Sequence, residues 1–262
     1  MEIKRSQPIG SYICLAPGCR KAAVAPKMPI GAFRRSSRLN NDMSDKVQPI
    51  TLAKDTFDQM LEPVAGTCIW PGLLSRADQK ALVAEMRASV ALAPLYHATM
   101  PRTGKPLSVA MTNLGSLGWI SDKKGYRYEA CHPRTLEPWP PIPDSLLGLW
   151  DELTGYPAPP EACLVNYYGA SARMGLQQDR DEKAPDAPVL SISLGDTAVF
   201  RLGGEDRKGP TQSFKLASGD VMLLKGLSRF RFHGVDRILS GSSTLLQGGG
   251  RLNLTLRRVN PV

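Results

Sequence analysis

Seven residues near the C-terminus, Arg251-Leu252-Asn253-Leu254-Thr255-Leu256-Arg257, alternate polar and apolar side chains without a break. Strand side chains alternate between two faces, so Arg251, Asn253, Thr255 and Arg257 share one face and the three leucines the other. Two arginines and an asparagine turned into a β-rich interior are costly unless an anion meets them. A small dicarboxylate answers that need, because a guanidinium grips a carboxylate in fork geometry.

Upstream lies Leu176-Gln177-Gln178-Asp179-Arg180-Asp181-Glu182, and His233 follows within Phe232-His233-Gly234. In extended backbone positions 177 and 179 project to one side, a spacing that suits chelation. With His233 arriving from an opposing strand, the three form a candidate divalent-metal site with positions left open. An isolated histidine is more often a satisfied core residue, and the flanking motifs are what raise His233 above that. Gln177 is the weak member, since an amide oxygen lacks the basicity of an imidazole nitrogen. Three states stay open: weak ligation by the amide, a water in its place, or no metal held. The other histidines, His97 and His132, lie upstream of this motif and neither is placed by sequence to substitute, with His132 the one left open.

The order strand, x-x-Asp, distant His, then Arg-x-Asn-x-Thr-x-Arg resembles the Fe(II)/2-oxoglutarate dioxygenases of the AlkB family. Further segments are similar to that family: Ser108-Val109-Ala110-Met111-Thr112-Asn113, Leu117-Gly118-Trp119, Gly125-Tyr126, Pro138-Trp139-Pro140 and Ala162-Cys163-Leu164-Val165-Asn166-Tyr167-Tyr168. The resemblance runs from about Pro94 to Arg258. It implies that Asp179 and His233 hold Fe(II), with Gln177 standing where the family has its first histidine. It implies that Asn166, Tyr168, Arg251, Asn253 and Arg257 bind 2-oxoglutarate, and that Asp179, His233 and Arg257 serve the reaction. It also implies that an alkylated base is flipped out of its strand. Trp119 and Tyr126 would present the base, and Asp181 would contact its edge.

These side chains need elements to carry them. Thr67–Trp70 reads as a strand turned by Pro71-Gly72. Ser75 starts a helix, with Asp78 three residues on as an imperfect capping box and an apolar face of Leu82, Val83, Met86 and Val90. A second helix spans Asp144 to Leu153, stopped by Gly155 and Pro157. After Pro160 come eight short candidate strands: 163–168, 175–179, 189–194, 198–202, 212–216, 220–224, 229–233 and 252–257. Such a run indicates an all-β sandwich or jelly roll. The resemblance narrows this to a mainly β double-stranded β-helix with flanking helices and an N-terminal substrate lid. Around Trp119, the residues Tyr126 and Tyr128 interleave with Lys123, Lys124 and Arg127, an aromatic-basic hairpin able to stack a base and hold phosphate. Arg207, Lys208 and Lys225 are scattered charges that carry less weight.

Composition bounds the rest. The 262 residues carry a net charge of +9, of which residues 1–40 contribute +7 from eight Lys/Arg against Glu2. The remainder is nearly balanced, so bulk charge does not make the folded part a nucleic-acid binder. Residues 1–45 are expected to be a disordered basic segment, with Met43 an alternative start, and residues 46–262 the catalytic domain. Five cysteines without a C-x-x-C pair point to a reducing compartment, hence the cytoplasm. No apolar run is long enough to span a membrane, and a monomer is the default.

The function expected is oxidative demethylation of N-alkylated bases in single- or double-stranded DNA, or in RNA, consuming O2 and 2-oxoglutarate. Two alternatives stand beside it. One is an inactive AlkB-like protein that binds alkylated or single-stranded nucleic acid. The other is an oxygenase acting on a substrate that is not nucleic acid.

Overall fold

The computed structural model describes Ile50 and residues 57–262. The expectations for the N-terminal segment lie outside the described residues.

Helix α1 spans Arg76–Leu92, and its start is set by Ser75. The Ser75 hydroxyl accepts from the Asp78 amide while the Asp78 carboxylate accepts from the Ser75 amide, so the capping box is complete in spite of aspartate replacing the longer glutamate. Helix α2 covers Asp144–Thr154 and ends on Gly155, whose left-handed backbone (φ 58°) a side chain would disfavour.

The strands form two facing sheets. The larger is built from β1 (Leu61–Val64), β2 (Thr67–Trp70), β3 (Ala110–Gly115), β6 (Ala162–Tyr168), β8 (Val189–Gly195), β11 (Val221–Leu224) and β13 (Arg251–Arg257). Its order is β1-β2-β11-β8-β13-β6-β3. The smaller sheet runs β10 (Gln212–Leu216), β9 (Thr197–Leu202), β12 (His233–Leu239), β7 (Met174–Gln177). A separate hairpin joins β4 (Gly118–Asp122) to β5 (Gly125–Glu129). The arrangement is the expected jelly roll with helices on one side.

Alternation decides which face does what. Leu190, Ile192 and Leu194 of β8 and Leu254 and Leu256 of β13 pack with Leu82, Met86, Leu146 and Trp150 of the two helices. The opposite face looks towards the small sheet. There Val189, Met222 and Leu224 meet Phe200, Leu202, Val235 and Ile238 at one end. At about 25 cal/mol per Å² of apolar surface, these two layers hold the central sheet rigid from both sides.

One expected strand is replaced. Residues 226–230 form a 3-10 turn, and the strand begins only at His233. Phe230-Arg231-Phe232 reads as strand alternation, yet Arg229 is buried to 1% exposure and reaches an acidic partner that a strand would deny it. Likewise β7 ends at Gln177, so Asp179 sits in the segment just beyond it.

Candidate active site

The anion pocket is a product of register. On β13, Arg251, Asn253, Thr255 and Arg257 oppose Gly195, Ser193, Ser191 and Val189 of β8. Small partners on that side leave room for long polar ones. On the other side Arg251 opposes Tyr168 and Asn253 opposes Asn166 of β6. Cross-strand partners share a face, so all five residues expected to bind the co-substrate line one inner chamber.

That chamber leaves polar atoms without protein partners. Arg251 is 1% exposed; its Nη1 donates to the Leu216 carbonyl at 3.0 Å and its Nη2 to Ser193 Oγ at 2.7 Å, while Nε has no partner. Among the described residues it forms no salt bridge. Burial pulls its guanidinium down to about 10, yet it stays charged at neutral pH. Asn166 Oδ1 is also unpartnered. Asn253 is held by Ser191 Oγ and the Ile192 carbonyl, and Thr255 donates to Asn253 Oδ1. Burial pushes the Tyr168 phenol up to about 12, so it remains a donor. A buried guanidinium with no salt bridge among the described residues, beside a protonated phenol, fits a carboxylate.

Next to this chamber, Gln177 and His233 are register partners on β7 and β12. The strands approach closely because residue 234 is glycine: a Cβ there would lie 2.6 Å from the Met174 carbonyl oxygen. His233 is 8% exposed and its Nδ1 faces the Arg231 carbonyl at 3.0 Å, which leaves Nε2 free for a cation. That Nε2 lies 3.8 Å from Asp179 Oδ2, a buried oxygen with no hydrogen-bond partner. Two atoms each about 2.1 Å from one cation lie about 3 to 4 Å apart, so the pair fits a shared metal. Burial alone would raise the Asp179 pKa, but Arg257, with His233 and Arg229 adding to it, holds the carboxyl below the usual range. The other Asp179 oxygen accepts from Arg257 Nη2 at 3.0 Å.

Gln177 is exposed and lines both chambers, as Asp179 and Arg257 also do. Among the described residues no three His, Cys, Asp or Glu side chains gather as a metal cluster. His132 does not stand in. It is 1% exposed between the rings of Tyr96 and Trp139, with Nε2 on the Pro94 carbonyl and Nδ1 accepting from the Arg134 and Thr135 amides. His97 is exposed and bonded to the Leu107 carbonyl.

An outer cavity of about 390 Å³ opens over Gln177 and Asp179, lined also by Trp119, Tyr126, Asp181 and Arg207 among others. The hairpin β4–β5 forms one wall. Trp119 stacks on Tyr126 with ring centres 5.6 Å apart and planes 17° off parallel. Its indole Nε1 donates to Asp181 Oδ2 at 2.8 Å. The three residues expected to handle a base therefore meet at one cavity.

The network behind these residues escaped the sequence. Tyr128, Glu182 and Arg229 form a buried network behind Asp179. Glu182 closes the segment 176–182, and nothing local announces that it is buried. Ser191 and Ser193 had a signal in their i, i+2 spacing on an otherwise apolar strand.

Together the jelly roll, the Asp–His pair and the arginine-lined chamber define an Fe(II)/2-oxoglutarate oxygenase, and residues 66–257 match the model of the 2OG-Fe(II) oxygenase superfamily, to which the chain belongs. Within it the AlkB resemblance holds. The chain is 59% identical over 198 residues to the "Alpha-ketoglutarate-dependent dioxygenase AlkB homolog" of Caulobacter vibrioides, spanning 76% of this chain and 90% of that one. It is 41% identical over 159 residues to the "Alpha-ketoglutarate-dependent dioxygenase AlkB" of Escherichia coli, spanning 59% of this chain and 73% of that one. In three dimensions it is similar to "The structure of OsALKBH1", with TM-score 0.66 and 29% identity over 76% of this chain and 99% of that one.

Proposed function

We propose that this dioxygenase removes alkyl groups from N-alkylated bases in DNA or RNA, and that residues 46–262 form its catalytic domain. The carrying observation is that one cavity is lined by Trp119, Tyr126 and Asp181 on one side and by Asp179 and Gln177 on the other. An aromatic pair with a carboxylate recognises a flat base carrying amino groups, and such a base must leave its stack to enter. The curated relatives named above carry dioxygenase names, and others are named "DNA N(6)-methyladenine demethylase" in Arabidopsis thaliana and "Nucleic acid dioxygenase ALKBH1" in mouse.

Asp179 and His233 are the residues we assign to Fe(II), with Gln177 as a weaker third donor. When bound, the metal with O2 and 2-oxoglutarate supplies the oxidising chemistry that hydroxylates the alkyl carbon, and formaldehyde leaves from a methylated base. The chain's own part is positional. Arg251 and Tyr168 hold the far carboxylate of the co-substrate, and Asn166 and Asn253 orient the near end. Arg257 holds Asp179 Oδ1 and leaves Oδ2 facing His233. Trp119 offers a face to the base and Asp181 an acceptor to its edge.

A second reading has an observation of its own: Gln177 in the metal triad favours a protein that binds alkylated nucleic acid with little turnover. No helix among the described residues is long and apolar enough to cross a membrane, and we place the protein in the cytoplasm as a monomer. The deciding experiment measures formaldehyde and succinate from an oligonucleotide containing 1-methyladenine, for the natural chain and for Gln177→His. Release by the natural chain supports the demethylase. Binding by the natural chain with release only by the variant supports the second reading. Succinate formation indifferent to the oligonucleotide would sink both.

A further inference from the structure

The hairpin β4–β5 is latched to segment 179–182 at two adjacent points. Trp119 and Tyr128 are register partners, so their side chains leave the hairpin on one face. Trp119 Nε1 donates to Asp181 Oδ2, and the Tyr128 hydroxyl donates to Glu182 Oε1.

Behind the second latch lies a buried quartet. Glu182 Oε2 accepts from Arg229 Nη2 at 3.0 Å. Glu182 Oε1 lies 3.3 Å from Arg257 Nε, an ion-pair distance without hydrogen-bond alignment. Arg257 Nη2 donates to Asp179 Oδ1 at 3.0 Å, and Arg229 Nη1 donates to the Asp179 carbonyl at 3.3 Å. Side-chain exposure is 1% for Arg229, 2% for Glu182 and 7% for Arg257 and Asp179. Two positive and two negative charges balance. Moving any one member would strand another's charge in low dielectric, so the four shift together. Tyr128 ties this set to the hairpin without adding charge.

We propose that Tyr128 and Glu182 are positioning residues that couple the seating of a base on the hairpin to the orientation of the Asp179 carboxylate. The inference rests on the nucleic-acid reading of the outer cavity. A base held at Trp119 and Asp181 orders the hairpin. Tyr128 then steadies Glu182, Glu182 steadies Arg257, and Arg257 keeps Asp179 Oδ2 turned to His233. Order imposed at one end need not be imposed again at the other, and the effect is reciprocal.

The test is oligonucleotide affinity by fluorescence anisotropy without oxygen, using single-stranded DNA with one 1-methyladenine. It is measured with and without Mn(II) plus 2-oxoglutarate, in the natural chain and in Gln177→His, each with and without Tyr128→Phe. Metal with co-substrate is expected to tighten binding about fivefold or more, a factor that Tyr128→Phe brings below about twofold. The factor is a ratio, so a uniform loss of affinity from a merely structural role would not move it. An undiminished factor in Tyr128→Phe overturns the proposal. So does the absence of tightening in both position-177 backgrounds when the oligonucleotide does bind. No oligonucleotide binding at all would instead overturn the nucleic-acid reading, and the proposal with it.

Discussion

Gln177 and His233 face one another as register partners across the antiparallel pair β7–β12, so both side chains leave the small sheet on the side of the Asp179 carboxylate. The backbone thus aims residue 177 at the proposed metal position whatever side chain it carries. Replacing the amide by an imidazole should strengthen the site without rebuilding it. Gln177→His is expected to tighten Fe(II) binding roughly tenfold or more, equivalent to about 1.4 kcal/mol or above. An anaerobic titration followed by the visible band of the metal–2-oxoglutarate complex measures it.

Arg251 is buried and forms no salt bridge among the described residues, so a dicarboxylate should stabilise the fold. At a hundredfold excess over Kd the gain is about 2.7 kcal/mol, or roughly 5 to 10 °C in Tm for a domain of this size. Arg251→Met is expected to abolish the shift. Thermal melts with and without 2-oxoglutarate decide the matter, and an equal shift in the variant would remove Arg251 from the pocket.

His132 makes stability depend on pH. Burial depresses its pKa, with Arg134 adding to the effect. Above the ordinary value of about 6.5 the ring is neutral folded or unfolded and contributes no slope. As pH falls below that value the unfolded chain takes up the proton first, so stability declines until the folded ring also protonates. Urea unfolding at pH 7.5 and 5.5 should show this decline, and a smaller one in His132→Gln.

The Arg229–Glu182 pair should be costly to break from one side. Arg229→Met leaves Glu182 buried with less compensation, and a loss of about 3 to 5 kcal/mol is expected. Combining it with Glu182→Gln should cost less than the sum of the single changes, as read by denaturant unfolding.

Trp119→Ala removes a stacking face. Affinity for a single-stranded alkylated oligonucleotide is expected to fall by about 1 to 3 kcal/mol, while 2-oxoglutarate affinity stays the same. Parallel loss of both would place Trp119 outside a separate base subsite.

Much of this site was legible because its signals are local and periodic. The alternation of 251–257 assigned both faces of β13 before any neighbour was known, since a period of two leaves each side chain one choice. The Ser75–Asp78 pair located the start of α1 for a similar reason: capping is settled within four residues. Arg229 shows where local reading stops. Its strand-like neighbours invited a strand, but the chain turns so that a guanidinium can reach Glu182, forty-seven residues earlier.

The sequence by itself determined the strand faces, the helix starts, the arginine-lined strand and the odd amide at position 177. Tertiary structure alone decided which charges are buried together. Glu182, Arg229 and Tyr128 lie in three separate segments of the chain, and only the closing of the hairpin over segment 179–182 makes them a network. Periodicity reports the burial of a face, whereas the pairing of two charges depends on register between segments far apart in the chain.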